Sequence, residues 1–308
     1  MKILVATEKP FAPLAVSQIR DVAEKGGHTL ALLEKYSSPQ DLHAAAADAD
    51  ALIVRSDIVD AALLAAAPKL KIVVRAGAGY DNLDLNGCTA SGVVAMNTPG
   101  QNSNAVAELA FGMMLYAARG GFDGKTGSEL MGKRLGLHAF GYVGRCMARI
   151  ASGFGMETYA YDPFVDQKTM REAGVTPVET VEELYSTCQY VSLHIPANDK
   201  TRGSIGERVI SLMPSGGVLV NTARKEVINE AELASMMEKR SDIRYLSDVA
   251  PDNASLFAEK FAGRCFFTPK KMGAQTEEAN INAGVAAARQ IVSFFATGDE
   301  TFRVNKPK

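Results

Sequence analysis

Gly141 and Gly144 lie between an apolar run ending at Phe140 and a segment with Val143, Met147 and Ile150 at helical spacing. A second apolar segment, Glu157 to Tyr161, ends at an acid, Asp162. Strand, glycine turn, helix, strand and acid follow in the order a dinucleotide-binding unit needs. The glycines let backbone approach a pyrophosphate, which the free N–H groups and dipole of a helix N-terminus stabilise. A carboxylate at the second strand end accepts hydrogen bonds from an adenosine ribose. It also repels the extra phosphate of NADP, so NAD is the expected cofactor. The full pattern would begin with a third glycine. Ala139 stands there and is expected to make the turn with negative φ, and the helix is expected over Arg145 to Phe154.

Hydride exchange between an alcohol and NAD also needs a group that holds the substrate and a base for the hydroxyl proton. Arg224 follows the strand-like GVLVNTA, and a guanidinium grips carboxylate and carbonyl oxygens bidentately. The base is harder to place. The four histidines are His28, His43, His138 and His194. His138 and His194 sit in apolar strands and read as structural. Lys270 and Lys271 follow the strand-like RCFFTP and precede Gly273-Ala274, a small pair that lets a cofactor come close. A lysine, with a reference pKa near ~10.4, becomes a base when burial or a neighbouring cation lowers it. Arg224 would be such a cation.

The elements that must position these groups alternate. KILVAT, HTLALL, ALIVRS, KIVVRA and GVVAMN read as strands, separated by helical patterns at 15–25, 40–47, 61–67 and 85–90. A helix over 104–118 precedes the glycine turn. YVSLHIP, GVLVNTA, IRYLSDVA and RCFFTP are further strands, and a helix over 277–296 closes the pattern. This predicts an α/β fold with parallel sheets, whose ligands bind at the carboxyl ends of strands. At 308 residues, two domains are expected. A net charge of −2 argues against nucleic acid or a membrane surface as partner. The four cysteines form no closely spaced pair, which predicts no metal site and a reducing, cytoplasmic setting. The apolar N-terminal run is too short for a signal peptide.

Taken together, these segments resemble the D-isomer-specific 2-hydroxyacid dehydrogenases over nearly the whole chain. The likeness is carried by IVRS (53–56), KIVVRAGAGYDNLD (71–84), NTPGQNSNAVAEL (97–109), the glycine turn, YDP (161–163), VSLHIP (191–196), NTAR (221–224), SDVAP (247–251) and TPKKMGAQT (268–276). It implies two Rossmann-like domains. The NAD-binding domain (99–276) would be inserted into a discontinuous, flavodoxin-like substrate-binding domain (1–98 and 277–308), and the protein would be a homodimer. By the same resemblance, Arg224 binds and polarises the hydroxyacid. Ala78 and Gly79 present backbone to its carboxylate, and Ser56 and Asn102 lie with the substrate. Gly141, Tyr142, Val143 and Gly144 face the pyrophosphate, Asp162 the ribose and Asp248 the nicotinamide. Ala78, Ile195, Pro196, Thr222, Ala223, Arg224, Gly273 and Ala274 complete the cofactor lining.

Two departures stand out. The family's histidine before the Gly-Ala pair is missing. Aligned back from Gly273-Ala274 its place falls on Lys271; aligned forward from Thr268-Pro269 it falls on Lys270. Lys271 is preferred, because contact with the cofactor fixes geometry more tightly than the turn does. The family's glutamate, five residues after Asp248, is replaced by Asn253, with Asp252 the nearest carboxylate. The two losses agree: an imidazole needs a carboxylate to set its tautomer, and an ammonium has none to set. The pattern is similar to a short, lysine-using branch without a regulatory domain, and the end of the chain at Lys308 fits that expectation. The implied reaction is NAD-dependent oxidation of D-3-phosphoglycerate to 3-phosphonooxypyruvate, for serine biosynthesis. Arg55 and Arg75, with Arg134 of a partner subunit, are the candidate phosphate ligands. Reduction of glyoxylate, hydroxypyruvate or another D-2-hydroxyacid is the alternative, and a non-catalytic NAD sensor is a reading of another class.

Overall fold

The computed structural model describes residues 1–306. The chain divides into one unit made of Met1–Asn102 and the segment from Gln275 onward, and a second made of Ser103–Ala274. The first crossing falls after Asn102 because the preceding residues are tied to the first unit. Thr98 N–H donates to Gly77 O (3.0 Å) and the Gln290 amide donates to Asn97 O (3.1 Å).

The first unit runs β1 (Lys2–Thr7), α1 (Pro13–Lys25), β2 (Thr29–Glu34), α2 (Pro39–Ala46), β3 (Ala51–Val54), α3 (Ala61–Ala66), β4 (Ile72–Arg75), α4 (Leu85–Ala90) and β5 (Val94–Asn97). Its strands are parallel in the order β2-β1-β3-β4-β5, the flavodoxin-like arrangement. Successive side chains point to opposite faces, so the strands supply two cores. Ile3, Val5, Ile53 and Val74 pack under α1 and the final helix, whereas Leu4, Ala6, Leu52 and Val73 pack under α2 to α4. Beyond β5, Arg303 bridges Met96 antiparallel, and Val304 N–H donates to Ala95 O (2.8 Å). Buried Asn305 accepts from Ala95 N–H (2.9 Å) and donates to Val93 O (2.9 Å).

The second unit runs α5 (Ser103–Ala118), β6 (Arg134–His138), α6 (Tyr142–Gly153), β7 (Glu157–Tyr161), α7 (Gln167–Glu172), β8 (Thr176–Pro177), α8 (Val181–Thr187), β9 (Tyr190–Leu193), α9 (Glu207–Ile210), β10 (Val218–Asn221), α10 (Glu230–Lys239), β11 (Arg244–Ser247), α11 (Ala254–Lys260) and β12 (Cys265–Phe267). The chain then returns to the first unit as α12 (Glu277–Thr297). The sheet order is β12-β11-β10-β9-β6-β7-β8, all parallel. Renumbered from β6 this is the doubly wound Rossmann order with one additional strand, and its switch point lies between β6 and β9. Helix starts are chemically marked. Asp60, Asp84, Asp166, Thr180, Asn229 and Thr276 each accept a first-turn N–H with the side chain.

α6 corrects the sequence expectation. It begins at Tyr142, not Arg145, because Gly141 already serves as its N-cap. Among the described residues no helix is long and apolar enough to cross a membrane.

Candidate active site

The glycine turn sits at the switch point. Ala139 N–H donates to Tyr161 O (2.9 Å), and Phe140 N–H donates to Asp162 Oδ2 (2.8 Å). These two bonds fold the end of β6 against the end of β7. Ala139 takes a φ of +88°, not the negative value expected for it. The turn demands the conformation a glycine would supply, and alanine adopts it at a cost of roughly 1–2 kcal/mol. Ala139→Gly is therefore expected to raise stability by up to about 1 kcal/mol, after the greater unfolded-state entropy of glycine is deducted. Denaturant melts of the two proteins check this; a lower midpoint for the glycine variant would refute the strain.

The turn fits the cofactor. No side chain caps α6, so its first N–H groups face outward, and a Cβ on Gly141 would meet nothing within 4 Å. Asp162 spends one lone pair on Phe140 N–H and one on Phe164 N–H (2.8 Å), leaving acceptor sites for ribose hydroxyls. Ile195 is buried and Pro196 exposed just past β9. At the end of β10 the Thr222 hydroxyl is buried with no hydrogen-bond partner, an orphan that a bound polar molecule would satisfy.

The two histidines nearby are structural groups held neutral. His138 Nδ1 lies 3.3 Å from the Tyr185 hydroxyl, and burial pushes its pKa down to about 4. His194, whose N–H donates to His138 O (2.9 Å), is pushed to about 3 by burial and then by the charge of His138. Unfolded imidazoles bind protons below about 6.5 and these refuse them. Their contribution to stability is thus complete above pH ~6.5 and lost as pH falls toward 4, by up to about 1.4 kcal/mol per unit for each imidazole. The denaturation midpoint should fall between pH 7 and 5, and His138→Gln should reduce that fall. Identical midpoints at both values would contradict the assignment.

The carboxyl ends of β10, β11 and β12 bring the candidate catalytic residues together. Asn221, buried at the end of β10, accepts from Ala223 N–H with Oδ1 (3.0 Å) and donates from Nδ2 to Arg224 O (3.0 Å). The Ala223 carbonyl then accepts from two cations, Arg224 Nη1 (3.0 Å) and Lys271 Nζ (3.3 Å). Asp248, buried just past β11, accepts Met272 N–H on Oδ1 (2.9 Å) and Gly273 N–H on Oδ2 (2.8 Å). The Thr268 hydroxyl lies 3.0 Å from the same Oδ1. A Cβ on Gly273 would stand 2.9 Å from Asp248 Oδ2, so the loop wraps the carboxylate too closely for a side chain there. Lys270 is exposed, and its carbonyl lies 2.9 Å from the Thr268 hydroxyl. Asp252 pairs with Lys225, and Glu230 accepts the N–H groups of Asp252 (2.8 Å) and Asn253 (3.1 Å). The nearest carboxylate to the lost glutamate's place is thereby engaged on the other side of the turn.

In the first unit, the Arg55 guanidinium donates to Lys9 O (3.2 Å), Pro10 O (3.3 Å) and Asn280 Oδ1 (2.5 Å), and lies over the Phe11 ring (5.1 Å). Burial pushes its pKa down. Arg75 Nε donates to Arg55 O (3.0 Å). Asn97 Nδ2 donates to Ala78 O (2.6 Å). Ser56 is exposed, Gly79 is half-buried, and Asn102 is the last residue before the second unit. Arg134 pairs with Glu157 (3.1 Å). Sequence reasoning missed the residue that organises these loops. Asp57 accepts Glu8 N–H (2.7 Å), the Tyr36 hydroxyl (2.6 Å) and Arg55 N–H (3.1 Å), and Asn82 Nδ2 donates to its carbonyl (2.6 Å). An aspartate two residues beyond a strand-end arginine was the available signal, since such side chains bond their own backbone.

Comparison with known proteins bears on this arrangement. A family model described as "D-isomer specific 2-hydroxyacid dehydrogenase, NAD binding domain" matches residues 108–264. The chain is 36% identical over 264 residues to a D-3-phosphoglycerate dehydrogenase of Methanocaldococcus jannaschii, covering 79% of the chain and 49% of that protein. It is 33% identical over 292 residues to that of Rattus norvegicus, covering 89% and 54%. The chain thus spans about half the length of the curated relatives it matches. A solved NAD+-bound 3-phosphoglycerate dehydrogenase of Entamoeba histolytica is 48% identical with a TM-score of 0.89, covering 100% of this chain and 99% of that one.

Proposed function

Because the chain belongs to the D-isomer-specific 2-hydroxyacid dehydrogenases, with their NAD-binding domain, we propose that it oxidises D-3-phosphoglycerate to 3-phosphonooxypyruvate. The observation that carries the reading is the meeting of Arg224 Nη1 and Lys271 Nζ on the Ala223 carbonyl. A guanidinium and an amine side by side are what a hydroxyacid needs, one for its carboxylate and carbonyl oxygens and one for its hydroxyl proton. Arg224 holds the acid and draws electron density toward the forming carbonyl oxygen. Lys271, as neutral amine, takes the hydroxyl proton. The cofactor, when bound, accepts the hydride. Gly141 to Gly144 would hold its pyrophosphate, Asp162 its adenosine ribose, and the orphan Thr222 hydroxyl a polar group of it. The same reading makes Arg55 and Arg75 the ligands of the substrate phosphate. It also places the enzyme in the cytoplasm as a homodimer serving serine biosynthesis; the four free cysteines fit a reducing compartment.

One observation favours a second reading. The Arg55 guanidinium already spends three of its five N–H donors on two carbonyls and Asn280, which leaves fewer for a phosphate. An unphosphorylated acid such as glyoxylate or hydroxypyruvate makes no such demand. The test is NADH formation from D-3-phosphoglycerate at alkaline pH, beside NADH consumption with glyoxylate and hydroxypyruvate. Turnover of the phosphorylated acid alone supports the proposal. Turnover of the small acids alone supports the second reading. NAD binding without turnover of any 2-hydroxyacid would make the protein a sensor.

A further inference from the structure

We propose that Asn221 and Asp248 are positioning residues that hold Arg224 and Lys271 together on the Ala223 carbonyl, a role that rests on the reaction proposed above. Both are about 1% exposed, and both lie at the carboxyl ends of neighbouring strands. They are coupled: Asp248 N–H donates to Asn221 O (2.9 Å), and the Ser247 hydroxyl lies 3.2 Å from the same oxygen.

Each fixes one of the two loops. The Asn221 side chain spans the NTAR turn, accepting from Ala223 and donating to Arg224 O, so it sets both the direction of the Ala223 carbonyl and the start of Arg224. The Asp248 carboxylate gathers the loop that carries Lys271 through the N–H groups of the two residues that follow it and the hydroxyl of Thr268 before it. The arrangement needs anchoring because it brings like charges together. Arg224 and Lys271 are two cations on one carbonyl, with Lys225 on the same turn and Lys270 on the same loop; Lys225 pairs with Asp252. A loop freed of its anchor regains conformational entropy and lets the cations separate. The family resemblance places Asp248 on the nicotinamide side, and its carboxylate oxygens also hold the lysine loop.

The test compares Asp248→Asn and Asn221→Ser with the unaltered enzyme in kcat, NADH affinity and the pH dependence of oxidation. In Asp248→Asn an amide NH2 replaces one acceptor oxygen and opposes a loop N–H. Each variant is expected to lose about 10- to 100-fold in kcat, as when groups supporting a site are removed, with NADH affinity within about threefold in Asn221→Ser. In Asn221→Ser, which changes no charge, the ascending limb of the rate–pH profile should move to higher pH by about half a unit or more, since a lysine farther from Arg224 is neutralised less easily. A merely structural role would lower the amount of folded enzyme and leave the limb where it is. An unmoved limb, or a weakened NADH affinity with kcat intact, overturns the proposal. Should Asp248→Asn not fold, Thr268→Val removes one bond of the same loop and must shift the limb in the same direction. Lys271→Ala separates the two levels: if it turns over normally the proposed reaction assignment fails, whereas an inactive Lys271→Ala with unmoved limbs in the others sinks the positioning role alone.

Discussion

Replacing Lys271 with alanine is expected to lower kcat by about a thousandfold or more while NADH affinity stays within a few-fold. The side chain reaches Ala223 O, beside the guanidinium of Arg224, and neither contact belongs to the glycine turn proposed to hold the cofactor. Removing it takes away the proposed proton acceptor and leaves the turn, Asp162 and the uncapped α6 unchanged. No histidine can substitute. His138 and His194, at the carboxyl ends of β6 and β9, have their proton affinity lowered by burial, and His28 and His43 belong to the first unit's early segments. Lys270→Ala should retain activity within a few-fold, because the group of Lys270 that meets the loop is its carbonyl, which any residue supplies. An active Lys271→Ala with an inactive Lys270→Ala would reverse the assignment. Stopped-flow kinetics and fluorescence titration of NADH separate the chemical step from binding.

Gly144→Ala is expected to cost at least about 2 kcal/mol of stability and most of the NAD affinity. A Cβ there would stand 2.6 Å from Ala139 O and 3.4 Å from Ala139 C, both backbone atoms of the turn. No rotamer relieves that contact; α6 must retreat from β6, taking with it the N–H groups proposed to face the pyrophosphate. Gly141→Ala is the informative contrast. Gly141 has a φ of −74° and open space around its would-be Cβ, so alanine should fold normally. The added methyl would instead stand where the pyrophosphate approaches. Melting temperatures paired with NAD titrations should therefore show Gly144→Ala losing both properties and Gly141→Ala losing affinity alone. Equal stability of Gly144→Ala and the parent would refute the close approach.

The strands were legible because their apolar residues come in short runs bounded by charge or glycine. Ile72–Arg75 lies inside KIVVRA, and Val218–Asn221 inside GVLVNTA. The short helices α7 to α11 were not, since four to ten residues between strands carry too few turns for a period to stand out. The start of α6 was read late because Gly141 and Gly144 look like loop residues, whereas here one caps the helix and the other packs inside its first turn. In the site, Arg224 and the two lysines could be named from type and order. Choosing between Lys270 and Lys271 depended on an insertion whose place a sequence leaves open. Asn221, Asp57 and the loop-holding bonds of Asp248 were invisible for a different reason. Their partners are backbone groups such as Glu8 N–H and Gly273 N–H, and backbone carries no residue-type signal. Ala139 shows the opposite error, for residue type suggested a negative φ and the demands of the turn overrode it.

The interrupted first unit also sets a timetable for synthesis. Ribosomes add roughly 5–20 residues per second, so the segment that closes the first unit emerges some tens of seconds after β5. Until then Ile3, Val5, Ile53 and Val74 lack the cover of Ala283, Ala287 and Ile291 from α12, and the β5 edge lacks Val304 and Asn305. The second unit is contiguous and can complete itself first. The nascent chain is therefore most exposed to trigger-factor-like holdases and to mispairing between neighbouring polysomal chains through β5, an exposure that slower translation of residues 103–274 would lengthen.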